Sequence, residues 1–326
     1  MSQPSAIRTW TIGAGGLVGQ AIARTTKSDF SAVPIPWADP RACQEVLTTA
    51  AHVFLDGVGD EPWCAVWAAG SGTVGTDKHA LEQETQTVRQ FASMFARLVS
   101  SRSTRLPPGL CVLVSSAGGV YAGTPNPPYS STSVPEPISD YGRAKLAQEE
   151  LWTSSFGGIG PTLVARLSNV YGEAQRIEKR QGLISQLAYS AVTRQPLHIY
   201  VPLDTVRDYI HTDDAAKLIA GHIADRYGSR HLTPKADTVI VASGEGTSIA
   251  TLIRMMTNVC HRKVPIAAAA NGSATSQARD SRFVPDLPTG FLDSGTRPLP
   301  LGLQQVYQGI ISQLQEYGAA TRVVGQ

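Results

Sequence analysis

Cysteine is scarce in this chain of 326 residues, and none of its four copies (Cys43, Cys64, Cys111, Cys260) belongs to a Cys-x-x-Cys pair. That disfavours a disulfide framework, a zinc ribbon and a dithiol redox site. Cys64 and Cys111 fall in strand-like apolar runs, where a cysteine acts as a small buried hydrophobe. The seven histidines show no metal-ligand spacing, so no metal is expected. Charge of one sign is also lacking. The 28 Lys and Arg against 26 Asp and Glu leave +2, with no dense basic run, which argues against a nucleic-acid partner. No apolar run approaches the ~20 residues of a membrane span. The opening Met1-Ser-Gln-Pro-Ser has no charged-then-apolar leader pattern, and the expectation is a cytoplasmic protein with no membrane partner.

What is present is ordinary globular material: 42% hydrophobic and 17% charged residues, enough to exclude wholesale disorder. Apolar runs without polar alternation mark strands at Arg8–Ile12, Ala32–Trp37, Cys64–Ala69, Leu110–Val114 and Thr162–Leu167. Between them lie residues at helical spacing: Cys43 to Phe54, then Val88, Phe91, Phe95 and Leu98, then a helix capped by Ser139-Asp140 and running to Trp152. Fully apolar strands alternating with amphipathic helices predict a Rossmann-type, doubly wound α/β fold with a parallel sheet covered on both faces.

After Asn169 the rhythm changes. Helices are expected at Leu183–Thr193 and Asp213–Asp225, a strand at Thr238–Ala242, and a helix capped by Thr247 or Ser248 that carries Leu252 and Met256. The stretch Ala267–Thr275 reads as a loop, and a last helix carries Leu303, Val306, Ile310 and Leu314. The predicted organisation places residues 1–170 in a main α/β domain, with 205–245 returning to it. Residues 171–204 and 246–326 form a smaller C-terminal substrate-binding lobe.

Two elements carry chemistry. The run Gly13-Ala-Gly-Gly16-Leu-Val-Gly19 follows the first strand and opens the first helix. Glycines there let the backbone turn sharply and approach a pyrophosphate, whose charge sits on free N–H groups at the helix N-terminus. The second is Tyr141-Gly-Arg-Ala-Lys145. Positions i and i+4 share a helix face, so phenol and ammonium lie side by side, an arrangement suited to proton transfer. Ser115-Ser116 ends the preceding strand, where side chains face the ligand crevice of a parallel sheet.

These motifs, with Ser115-Ser-Ala-Gly-Gly-Val-Tyr-Ala-Gly123, Arg166-Leu-Ser-Asn-Val-Tyr-Gly172 and Arg207-Asp-Tyr-Ile-His-Thr-Asp-Asp214, occur in order at suitable intervals. Together they resemble the NAD-dependent epimerase/dehydratase family of extended short-chain dehydrogenases, over about residues 8–260. The resemblance implies Tyr141 as acid/base, Lys145 on the nicotinamide ribose and Ser116 on the reacting oxygen. It implies cofactor contacts from Gly13, Gly16, Leu17, Val18, Gly19, Ala68, Ala69 and Gly70. A nucleotide-diphosphate sugar would meet Asn169 and Arg207 at its phosphates, Leu183 through backbone, and His198 and Tyr200 at the base. Arg279 would be a second phosphate arginine, and a homodimer is implied. Arg207 has another reading, an ion pair with Asp208 or Asp213.

The sequence departs from the family pattern in four places. The Ser/Thr expected three residues before Val120-Tyr121 is Ala117, leaving Ser116 one step earlier. The dehydratase members' Asp-Glu pair is replaced by small residues (Ala117, Gly118, Gly119), which disfavours elimination of water. The usual third strand is not evident between Trp37 and Cys64. Finally, Asp39 has the spacing of a ribose-binding acid, which favours NAD, while the nearby Arg41 would suit NADP. The function expected is nucleotide-sugar epimerisation with NAD. A 4-ketoreductase using the same Tyr/Lys pair, and a non-catalytic cofactor-binding sensor, are the alternatives.

Overall fold

The computed structural model describes residues 7–27, 30, 33–107, 109–175, 177, 181–228, 235–269, 277–291 and 295–323. Strand β1 (Arg8–Ile12) turns at Gly13 into α1 (Leu17–Thr25). Next come α2 (Pro40–Asp56), β2 (Trp63–Trp67), α3 (Lys78–Ser101) and β3 (Gly109–Ser116). The short α4 (Ala117–Val120), α5 (Asp140–Phe156) and β4 (Thr162–Leu167) follow. The chain continues through β5 (Asn169–Tyr171), α6 (Leu183–Thr193), β6 (Leu197–Ile199), β7 (Val206–His211), α7 (Thr212–Gly228) and β8 (Ala236–Val241). It ends with β9 (Gly246–Ser248), α8 (Ile249–Cys260), β10 (Ile266–Ala268), β11 (Asp280–Ser281) and α9 (Leu299–Val323).

The main sheet has the order β1-β2-β3-β4-β8, parallel throughout. Alternation along each strand sends side chains to opposite faces. Trp10, Trp63, Trp67, Cys111 and Leu113 meet Leu47 and Phe54 of α2, Phe91 and Phe95 of α3, and Trp152 of α5. On the other face Cys64, Val66, Leu110, Val112 and Leu163 meet Ile22 of α1 and Leu218, Ile219 and Ile223 of α7. Burial on both faces is why these strands read as unbroken apolar runs. The four cysteines are buried free thiols.

The strand expected at Ala32–Trp37 is not formed. Val33–Pro36 makes no ladder, and Ala32 lies outside the described residues. Pro34 and Pro36 have no N–H to donate, so the run's apolar character comes from packing and not from pairing. Phe30 and Ile35 instead pack on the Trp10 core. As a result β1 is an edge of the sheet. The single helix α2 spans the distance to β2, and the usual third strand of the family it resembles is not formed there among the described residues.

The second layer of elements rests on β5, β7 and β11, with β9 antiparallel to β7. Leu187 of α6, Leu252 and Met256 of α8, and Leu303 and Val306 of α9 form its own core. The loop reading of Ala267–Thr275 fails at its start. Ala267 and Ala268 pair with His198 and Ile199 in a short parallel ladder, and residues 270–275 lie outside the described set. No described helix is long and apolar enough to cross a membrane.

Candidate active site

A cavity of about 910 Å³ opens at the carboxyl ends of the main strands, between the two layers. That is near the upper end for ligand pockets. Its floor is the turn after β1. Gly13 has φ +94, a conformation that favours glycine, and a Cβ there would sit 2.7 Å from Ala69 backbone. A Cβ on Gly19 would lie 2.2 Å from the Gly13 carbonyl oxygen. Gly13, Gly19 and Ala69 therefore shape the turn from behind, while Gly16, Leu17, Val18, Ala68 and Gly70 line the cavity. Helix α1 starts at Gly16, whose side has no capping group, so its first N–H groups are available to an anion. This cradle fits a dinucleotide pyrophosphate.

Tyr141 also lines the cavity. Ser139 caps α5 by accepting from Gly142 N–H at 3.0 Å, which sets the first turn and with it the Tyr141 side chain. A Cβ on Gly119 would come within 3.0 Å of the Tyr141 ring, so the small residues of α4 make room for the phenol. Ser116 lines the cavity too, while its Oγ caps α4 by accepting from Gly119 N–H at 3.2 Å. Its own hydrogen remains to be donated.

Lys145 lies one turn beyond Tyr141, with Nζ 5.8 Å from the ring centre. It is buried and does not stand alone: Nζ donates to Glu84 Oε1 at 2.8 Å and to Gln148 Oε1 at 3.0 Å. Burial works against its charge, but Tyr141 and Glu84 outweigh that and hold the ammonium above the usual lysine range. No sequence motif marks Glu84. The available signal was an acid on the buried stripe of α3, between Leu81 and Val88, where a charge is rare unless paired.

At the far end the cavity is lined by Asn169, Leu183, His198, Tyr200 and Arg207. Asn169 donates Nδ2–H to the Asp208 carbonyl at 2.9 Å, which ties β5 to β7. The two ion pairs open to Arg207 are not made. Asp208 is fully buried and accepts from Ser243 N–H, Ser243 Oγ–H and Gly244 N–H at 2.8–3.0 Å, and Asp213 pairs with Arg24 and Arg297. Arg207 donates to the Val206 carbonyl at 2.9 Å and to Gln277 at 3.5 Å. Among the described residues it has no ion-pair partner. Burial lowers its guanidinium from the usual arginine range. A desolvated cation in a cavity wall favours an anion as its partner.

Two expected site residues are placed elsewhere. Asp39 caps α2, its Oδ1 accepting from Arg41 and Ala42 N–H at 3.0 and 3.1 Å, and it is not in the cavity wall. Arg279 pairs with Asp204 at the surface, and its neighbours Gln277 and Ala278 line the cavity instead. The carboxylates of Glu173 and Asp213 flank His211, but Glu173 is hydrogen-bonded to His211 Nε2 at 3.0 Å, Asp213 pairs with Arg24 and Arg297, and Arg297 also contacts His211.

The sequence profile of the NAD dependent epimerase/dehydratase family matches residues 11–231. Among curated proteins, dTDP-4-dehydro-6-deoxyglucose reductase of Escherichia coli is 27% identical over 191 residues, covering 56% of this chain and 58% of that one. The dTDP-L-rhamnose 4-epimerase of Burkholderia thailandensis is 29% identical over 133 residues, 40% of this chain and 35% of that one. The chain thus spans about half or less of these relatives' length. The solved UDP-glucuronic acid 4-epimerase of Bacillus cereus, in complex with UDP-glucuronic acid and NAD, shares the fold. Its TM-score is 0.70 at 17% identity, with 94% of this chain and 98% of that chain covered.

Proposed function

The chain belongs to the NAD dependent epimerase/dehydratase family, and on that premise we propose that it epimerises a nucleotide-diphosphate sugar, at the sugar's C4. The observation that carries the reading is Arg207: a half-buried guanidinium with no ion-pair partner among the described residues, lining the same cavity as Tyr141 and the Gly-rich turn. Two anion sites at opposite ends of one cavity, with an acid/base between them, suit a dinucleotide and a nucleotide-linked substrate together.

In this reading Gly16, Leu17 and Val18 hold the pyrophosphate of NAD, and Lys145 holds its nicotinamide ribose. Bound nicotinamide supplies a hydride acceptor that later serves as donor. Tyr141 takes the hydroxyl proton as the sugar carbon is oxidised and returns it when the resulting ketone is reduced. Ser116 donates a hydrogen bond to the reacting oxygen. Arg207 and Asn169 anchor the diphosphate, and His198 and Tyr200 flank the base.

Arg207→Ala removes a charge-assisted contact to a group that does not react. Ground state and transition state should weaken together, so KM should rise more than kcat falls. The loss should be about 1.5–3 kcal/mol, and UDP or dTDP should lose a similar amount of affinity by calorimetry. Cofactor affinity should stay near that of the wild type. If neither nucleoside diphosphate binds the wild type in the presence of cofactor, the substrate is not a nucleotide sugar of these kinds.

NAD is the proposed cofactor, as bound in the Bacillus cereus epimerase, and removing the charge of Asp39 tests whether that carboxylate reaches the cofactor from its capping position outside the cavity wall. Its capping role makes Asp39→Ala a poor probe, since loss of a cap costs about 0.5–2 kcal/mol of stability. Asparagine caps as well as aspartate, so Asp39→Asn keeps the helix start and removes the charge. Trp fluorescence titration should show NAD preferred in the wild type and that preference eroded in the Asn variant. A wild-type preference for NADPH would shift the reading to a 4-ketoreductase, which the similarity to the E. coli reductase also favours. Acid release of tightly retained NAD from the purified protein would favour the epimerase.

A further inference from the structure

Glu84 occupies a position that its own helix does not explain. It sits on the buried stripe of α3, its side chain 14% exposed, where a carboxylate is stable only if fully hydrogen-bonded. It accepts four bonds. Oε2 takes Ser71 N–H at 2.9 Å and Gly72 N–H at 3.0 Å. Oε1 takes Lys145 Nζ at 2.8 Å and Gln148 Nε2 at 3.3 Å. The backbone makes room for it: a Cβ on Gly70 would lie 2.9 Å from Oε1, and one on Gly72 3.3 Å from Oε2. Burial works against the charge, but Lys145 and the two backbone N–H groups outweigh it and hold the carboxyl below its usual range.

One carboxylate therefore joins two cavity walls that are far apart in sequence. Gly70, Gly72, Thr73 and Val74 form one wall, and Tyr141 on α5 belongs to the other. It also fixes the lysine. An ammonium has three N–H donors, and two of the three on Lys145 go to Glu84 and Gln148, leaving one in a set direction. Glutamine cannot do the same. Its amide has one acceptor and one donor end, so its NH₂ would face either the two backbone N–H groups or the ammonium.

We propose that Glu84 is a positioning residue for the nicotinamide half of the dinucleotide, acting through Lys145 and through the 70–74 wall. The proposal rests on the reading of Lys145 as the lysine that holds the nicotinamide ribose. ADP provides the control, because it ends at the pyrophosphate and reaches the turn at Gly16 without reaching Lys145.

Calorimetric titration of nucleotide-free protein with NAD and with ADP tests this, without any need for the sugar substrate. Glu84→Gln should bind NAD about 10- to 100-fold more weakly than the wild type, with ADP affinity changed by no more than about twofold. Glu84→Asp keeps the charge but is one methylene short. It should show the same selective pattern with a smaller loss, and it carries the test if the Gln variant does not fold. NAD affinity unchanged in the folded variants, or an equal loss for NAD and ADP, would overturn the proposal while leaving the cofactor reading intact. A wild type that binds neither NAD nor NADP overturns the cofactor reading and this proposal with it.

Discussion

Tyr141→Phe should lower turnover by about 10²–10⁴-fold, the usual contribution of a positioned acid/base, in a protein that folds and binds cofactor as the wild type does. The structure supports both parts. Among the described residues the Tyr141 hydroxyl makes no hydrogen bond, so its removal leaves no partner unsatisfied. The ring's packing against Gly119 and near Gly72 is the same for phenylalanine. Lys145→Ala should behave differently. It leaves the Glu84 carboxylate buried with its strongest partner gone, and removing one partner of a buried pair is strongly destabilising. That variant should lose cofactor affinity, stability and turnover together. Steady-state rates, a thermal melt and an NAD titration on each variant separate the two patterns. Near-normal turnover in Tyr141→Phe would remove the acid/base assignment.

The fold was legible because a parallel sheet covered on both faces leaves a plain record: apolar strands, amphipathic helices, and glycines at the one turn that needs them. Between β1 and α2, composition imitates pairing. Val33, Ile35 and Trp37 look like a strand, yet the prolines between them cannot supply ladder bonds; Ile35 packs on the core beside β1, while Val33 and Trp37 stay exposed. At the site, residues that line the cavity were found when they sat in a motif, as Tyr141, Asn169 and Arg207 do. Asp39 and Arg279 had the right type and approximate spacing, but spacing does not report what a side chain bonds: one caps a helix and the other pairs with Asp204. Glu84 shows the converse. It belongs to no motif, and its role depends on contact with Lys145, 61 positions away in sequence.

The largest stability effect is expected at Glu149→Gln. Glu149 lies on α5 one turn beyond Lys145, and its carboxylate is the centre of a buried network. Ser115 Oγ donates to Oε1 at 2.5 Å. Arg166 donates through Nε at 3.1 and 3.2 Å and through a terminal nitrogen at 2.6 Å, while its other terminal nitrogen bonds the Tyr121 hydroxyl. Glu149 and Arg166 are 5% and 6% exposed, so water cannot replace a lost partner. The network fastens α5 to the ends of β3 and β4, below the cavity that Tyr141 lines. Glutamine keeps the shape but leaves the Arg166 charge buried without its counter-charge. Breaking a buried pair in this way costs about 3–5 kcal/mol. A shift of roughly 2–4 °C per kcal/mol holds for domains somewhat smaller than this one, so the melting temperature should fall by roughly 5–15 °C. The companion test is a double variant, Glu149→Leu with Arg166→Met, which removes both charges at similar volume. Apolar replacement of a buried pair is often close to neutral, so the double variant should be more stable than Glu149→Gln alone, despite the Ser115 and Tyr121 hydroxyls it leaves unpaired. Urea unfolding of the three proteins decides it. A Glu149→Gln protein within about 1 kcal/mol of the wild type would show that the charge of Glu149 is not what holds Arg166 in the core.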